Sequence, residues 1–153
     1  MATMRVLDIC VASAIAIVMV IAVILRGDAL YLGLWYYIAV PTLILGVCIA
    51  IRPAPLFLSG TAVVIAASMV ALMAVNWTQS SPEGLLGLGH IFSLPGAVIA
   101  TVIVASVARK KCLSQPIALF LLGLGGYGTG YFLNQLVVCN TVMWCGPLSL
   151  SIK

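Results

Sequence analysis

Five apolar runs, each long enough to cross a lipid bilayer, dominate the sequence. They are separated by charged or turn-forming residues and lie at about residues 8–25, 30–51, 55–75, 85–108 and 116–138. A helix needs about 20 apolar residues to span about 30 Å of hydrocarbon, whereas buried strands last only about 4–8 residues. The runs therefore predict an all-α fold, a polytopic membrane helix bundle of five transmembrane helices, with four as the alternative count.

Composition supports this fold class and leaves no length for a soluble domain. Of the 153 residues 64% are hydrophobic and 7% are charged, against about 45–50% and about 25% in soluble domains. We therefore expect a single membrane domain over residues 1–153, surrounded by the lipid bilayer. The net charge of +4 does not indicate a nucleic-acid partner, because the basic residues are scattered singly except at 109–111 and no aromatic residues interleave with them.

The distribution of basic residues predicts the orientation. Cytoplasmic loops carry an excess of Lys and Arg. With the N-terminus inside, five basic residues are cytoplasmic and two are external. The five are Arg5, Arg52, Arg109, Lys110 and Lys111, and the two are Arg26 and Lys153. This predicts an N-in, C-out protein, and the short loops are typical of a multi-pass protein of the bacterial inner (plasma) membrane with a periplasmic C-terminus. The first run exceeds the 7–15 residues of a signal-peptide core, so we interpret it as a retained span.

A glycine-rich segment in the last run, "GLGGYG" at 123–128, matches the spelling of a dinucleotide-binding loop. That motif requires a strand before it and an acidic residue downstream, and neither is present. On a helix, Gly123, Gly126, Gly130 and Asn134 share one face. Small residues at this spacing let membrane helices approach closely, so we interpret the segment as a helix-packing face, with a homo-oligomer as one use of it.

Polar residues offer little catalytic or ligand-binding chemistry. No Asp, Glu, Lys or Arg falls in the middle of a predicted span, which argues against ion-coupled transport through an intramembrane carboxylate. His90 is the only histidine, and with Glu83 it supplies too few ligands for a metal. We expect an interfacial, hydrogen-bonded histidine, and neither catalytic residues, metal nor cofactor.

The segment "CNTVMWC" at 139–145 places two cysteines just beyond the last run. In a C-out protein they emerge into an oxidising compartment, where thiols tend to pair. A disulfide between Cys139 and Cys145 requires the helix to end before Met143, because residues six apart on a helix exceed the reach of the bond. Two unpaired thiols and a catalytic redox pair are the alternatives.

Size and scarce chemistry together favour a non-enzymatic protein that binds a protein partner. We expect an immunity-type protector against a membrane- or periplasm-acting toxin, with Trp77, Glu83, His90 and Trp144 as candidate outer-surface contacts. The alternatives are an accessory subunit of a larger membrane complex or transporter, a small-molecule or lipid carrier along the glycine face, and a periplasm-facing thiol oxidoreductase.

Overall fold

Every regular element in the described part of the chain is an α-helix. The structure, a computed structural model, describes residues 2–78, 85–110 and 115–142. The helices are α1 (Ala2–Arg26), α2 (Leu34–Ile51), α3 (Phe57–Thr78), α4 (Leu85–Lys110) and α5 (Pro116–Thr141). All five are long and apolar enough to cross a membrane. This confirms the prediction of an all-α fold with five transmembrane helices, and the chain is a multi-pass membrane protein by length and composition.

Two helices begin at residues other than the predicted ones, and polar residues lie near both starts. α1 begins at Ala2 rather than near residue 8, so Arg5 and Asp8 lie within its first turns. α2 begins at Leu34 rather than near residue 30, because the preceding backbone is folded around the Asp28 carboxylate. Hydropathy locates the apolar centre of a span well, but its ends depend on such capping contacts.

The helices pack around α3, which contacts all four others. The most extensive contact is between α4 and α5, followed by that between α3 and α5. α1 and α2 are peripheral and pack mainly on α3, on α4 and on each other. The bundle therefore contains an α3–α4–α5 unit in which α5 packs tightly on both other helices, and an α1–α2 pair whose two helices contact each other less and of which α1 packs extensively on α3.

Glycines explain why the α3–α4–α5 unit is tight. A Cβ atom at Gly123 would fall on the carbonyl oxygen of Phe57 in α3, and one at Gly130 would fall on the carbonyl oxygen of Gly96 in α4. A Cβ at Gly126 would lie 3.2 Å from the side chain of Val104 in α4. The face predicted from the glycine-rich segment thus meets two helices, and the backbones approach as closely as small residues permit.

Apolar grooves lie on both sides of α2. One, of about 520 Å³, separates α2 from α1. The other, of about 420 Å³, separates α2 from α4. Each contains a proline inside a helix, Pro41 in α2 and Pro95 in α4. Proline removes one backbone hydrogen bond and displaces the preceding turn, so it hinders close packing at these levels.

One hydrogen-bonded carboxylate lies at each end of the bundle, and we call these ends the Asp8 end and the Asp28 end. At the Asp8 end α1 and α3 begin, and Asp8 accepts hydrogen bonds from the first turn of α3. At the Asp28 end α1 ends and α2 begins, and the end of α3 reaches the intervening loop through Asn76.

Candidate functional site

The loop between α1 and α2, residues 27–33, is folded around one carboxylate. Asp28 accepts hydrogen bonds from the backbone N–H of Leu30 at 3.0 Å and of Gly33 at 2.6 Å. It also accepts one from the Tyr37 hydroxyl at 2.5 Å. Gly27 and Gly33 take positive φ values of 88° and 79°, which residues with a side chain rarely adopt. The sequence thus encodes a defined loop rather than a flexible link.

This loop is clamped onto the rest of the bundle. The Leu30 side chain is fully buried. Asn76 of α3 donates a hydrogen bond to the carbonyl oxygen of Ala29 at 2.8 Å. A Cβ at Gly87 of α4 would lie 2.6 Å from the Leu30 carbonyl oxygen, so only glycine permits this approach. The loop is therefore attached to both α3 and α4.

Four side chains at the Asp28 end form what we call the aromatic rim: Arg26, Tyr31, Trp35 and Trp77. Tyr31 is 64% exposed and Trp35 is 66% exposed. The Arg26 guanidinium lies 5.7 Å from the centroid of the half-buried Trp77 ring, a cation–π contact. Tyr31 has a φ of 57°, an outlier for a bulky residue that the surrounding contacts must maintain.

Beneath the rim, a relay of hydrogen bonds passes through His90. The Tyr36 hydroxyl lies 2.5 Å from Nδ1 of His90, and the Ser68 hydroxyl lies 3.1 Å from Nε2. Ser68 donates its own proton to the Ile65 carbonyl oxygen at 2.8 Å. The network is consistent with one tautomer, in which Tyr36 donates to Nδ1 and the Nε2–H donates to Ser68. A neutral His90 thus links α2, α3 and α4.

Two tyrosines of α5 complete this buried layer. The ring of Tyr131 lies 5.2 Å from that of His90. Tyr127 stacks on Tyr131 with centroids 6.0 Å apart. Among the described residues the Tyr127 hydroxyl is the one buried side-chain polar atom without a hydrogen-bond partner. The layer packs aromatic surface against one imidazole, and it connects four helices without a carboxylate.

Further polar contacts join the helices beyond this layer. Asn134 of α5 donates to the Phe92 carbonyl oxygen of α4 at 2.5 Å, and Ser93 donates to the Gln135 side chain. At the opposite end Asp8 is buried and accepts from the backbone N–H groups of Leu58 and Ser59 at 3.2 and 2.9 Å. Asp8 thereby caps α3 from another helix, satisfying donors that a helix N-terminus leaves free.

The prediction that His90 is an outer-surface contact is wrong. Its side chain is 0% exposed and lies among the helices, because Tyr36 and Ser68 occupy both ring nitrogens. Trp77 is half-buried beneath Arg26. Glu83 and Trp144 lie outside the described residues. The sequence analysis missed the roles of Tyr31, Tyr36 and Asp28. The signal for a structured loop was a charged residue, Asp28, between Gly27 and Gly33.

The predicted disulfide involves Cys139, which lies in the last turn of α5. α5 ends at Thr141, before Met143, as a bond between Cys139 and Cys145 requires. Cys139 is buried and its sulfur accepts a hydrogen bond from Gln135 at 3.4 Å. Cys145 lies outside the described residues, so the disulfide stays a prediction. Cys10 and Cys48 are free thiols.

Comparisons with protein-family models, with curated proteins and with solved structures give no match for this chain. The described Asp28 end presents exposed aromatic side chains on a hydrogen-bonded loop, above a buried hydrogen-bonded layer, an arrangement suited to recognition.

Proposed function

We propose that this is a non-enzymatic, multi-pass protein of the bacterial inner membrane whose Asp28 end binds a protein partner. The main observation in support is the aromatic rim. Its Tyr31 is exposed and has a strained backbone conformation, which the hydrogen-bonded Asp28 loop maintains. Strained residues tend to persist where function maintains them.

The composition and rigidity of the rim suit protein recognition. Tyr, Trp and Arg are the residue types that carry most binding energy at protein interfaces. A side chain already held in place loses less conformational entropy on binding. Interfacial aromatic belts explain Trp35 and Trp77 equally well. A belt does not require a left-handed Tyr31, so Tyr31 favours a partner.

The described basic residues support the proposed sidedness. Arg5, Arg52, Arg109 and Lys110 lie at the Asp8 end, and Arg26 lies at the Asp28 end. This distribution supports a cytoplasmic N-terminus and a periplasmic rim. A periplasm- or membrane-acting toxin approaches from that side, so we favour an immunity-type protector over an accessory subunit of a larger complex. No metal or cofactor is part of this proposal.

The carrier alternative receives less support. Its pathway along the glycine face would need space between α5 and its neighbours. Backbone atoms of α3 and α4 fill that space at Gly123 and Gly130. The oxidoreductase alternative depends on Cys145, outside the described residues.

The test is protection of living cells. A strain lacking the protein is challenged with toxins released by sister cells or encoded beside its gene, and survival is compared after complementation. Wild type restores survival; the double variant Tyr31→Ala, Trp35→Ala fails to restore it. Phe132→Ala is the matched control, because Phe132 is an exposed aromatic within α5. Equal protein in the membrane fraction shows that loss reflects binding.

Unchanged survival of the deletion strain with every such toxin contradicts the protector function. Sidedness is tested separately with Tyr31→Cys in a variant lacking the natural cysteines. A membrane-impermeant thiol reagent should label intact cells. Labelling that needs permeabilised cells would place the rim in the cytoplasm and redirect the search for a partner there.

A further inference from the structure

A second feature is a pair of adjoining cavities along the α1–α2 pair. The groove of about 520 Å³ is lined mainly by apolar side chains of both helices, among them Ile49. Ile49 also lines a smaller cavity of about 200 Å³ at the Asp8 end, which is bordered by Arg5 and Arg52. The two cavities share Ile49, so the apolar groove adjoins a mouth flanked by two guanidinium groups.

We propose that this composite groove binds one anionic phospholipid, with an acyl chain along α1 and α2 and the phosphate between Arg5 and Arg52. The lipid belongs to the leaflet on the side where α1 begins. This site is separate from the rim and does not depend on the proposed partner.

The dimensions agree with a lipid chain. The groove extends along α2 from Tyr37 to Ile49, which is about 18 Å at 1.5 Å per residue. Half of the hydrocarbon thickness is about 15 Å. Gly46 lines the groove, and a Cβ there would meet no atom within 4 Å. The groove is therefore open at the level of Gly46, as an inserted chain requires.

Charge at the mouth favours an anion. Arg5 and Arg52 are exposed, and neither side chain has an ion-pair or hydrogen-bond partner among the described residues. Asp8 also borders the mouth. Its carboxylate is buried and already accepts from the backbone of Leu58 and Ser59 and from the Ser59 hydroxyl. The accessible groups are thus the two guanidiniums, whose planar donors match phosphate oxygens.

The backbone of Arg52 is a further indication. Arg52 caps the C-terminus of α2 with a φ of 59°, a left-handed position usually occupied by glycine. A long cationic residue is retained there despite the strain. Its place at the mouth of the groove gives the guanidinium a use that glycine lacks.

The experiment measures lipid retained by the full-length protein in detergent. Equal amounts of phosphatidylglycerol and phosphatidylcholine are titrated in, and bound lipid is counted by native mass spectrometry. We expect one lipid per chain with a preference for phosphatidylglycerol. Arg5→Gln and Arg52→Gln should each reduce that preference about fivefold, because a cation near a membrane surface contributes about 1 kcal/mol to anionic-lipid binding. Lys110→Gln, a cation at the same end, is the matched control.

A second variant separates the groove from the headgroup site. Gly46→Leu fills the groove and should abolish retention of both lipids, whereas each arginine variant should keep one bound lipid and show only the reduced preference for phosphatidylglycerol. Gly125→Leu is its control, because a Cβ at Gly125 also meets no atom within 4 Å. Circular dichroism shows whether each variant remains helical.

Equal retention by wild type and all variants would overturn the proposal, as ordinary exchanging bilayer lipid behaves in that way. A dimer that Gly46→Leu dissociates would overturn it too, by assigning the groove to a second copy of the chain.

Discussion

Helix α5 meets α3 and α4 backbone to backbone, whereas α1 and α2 are separated from each other by a groove and are anchored by polar side chains at the two ends of the bundle. The first region uses glycines, whose missing Cβ atoms allow dispersion contacts between helices. The second uses Asp8 at one end and the Asp28 loop with Tyr36 and His90 at the other. Close packing leaves no space for a ligand, whereas anchoring at the ends leaves a groove between them.

The largest effect is expected where the close packing is broken. Gly123→Val places a branched side chain on the Phe57 carbonyl oxygen. Overpacking of this kind should lower the free energy of unfolding by about 3 kcal/mol. The measurement is unfolding of the detergent-solubilised protein by increasing denaturing detergent. Gly125→Val is the control, because it meets open space on the same helix. Equal stability of the two variants would show that the helices are not held by this contact.

The next effect tests the polar anchor of α1. Asp8→Ala removes the acceptor of two buried backbone N–H groups in α3. Loss of a charged cap with its donors left unpaired should destabilise the protein by about 2 kcal/mol. Asp8→Asn keeps one carbonyl oxygen and should lose about half as much. The same unfolding assay reports both, and no difference between Asn and Ala would mean that capping is not what Asp8 contributes.

The glycine contact and the Asp8 cap differ in how well they can be predicted from the sequence. The glycine face can be predicted from spacing alone, since helical periodicity brings 123, 126 and 130 together. The cap cannot be predicted, because Asp8 and Ser59 are 51 residues apart and only the packing of α1 on α3 brings them into contact. His90 illustrates the same limit. Hydropathy places it near a span end, but its burial depends on Tyr36 of α2 and Ser68 of α3.

An intermediate effect is expected at the other anchor. His90→Phe preserves ring volume but leaves the Tyr36 hydroxyl without its acceptor and Ser68 without its donor. Interhelical hydrogen bonds in membranes average about 0.6 kcal/mol, so the two bonds together should contribute about 1–1.5 kcal/mol. Tyr36→Phe tests one bond by itself. If His90→Phe and Tyr36→Phe are additive in a double-mutant cycle, the relay through His90 is not a stabilising unit.

The smallest effect has the opposite sign and connects the anchors to the groove. Arg52→Gly relieves the left-handed backbone at the end of α2 while keeping the N–H that bonds to the carbonyls of Cys48 and Ile49. Relief of this backbone strain should raise the free energy of unfolding by about 1 kcal/mol, and the greater freedom of glycine in the unfolded chain should offset part of that gain. The net expectation is a gain of about 0.5 kcal/mol in unfolding free energy. Arg52→Ala keeps the strain and should give no gain. Both variants should show the same reduction of about fivefold in the preference for phosphatidylglycerol as Arg52→Gln. A more stable Arg52→Gly protein that binds lipid less selectively would show that the strained arginine serves lipid binding.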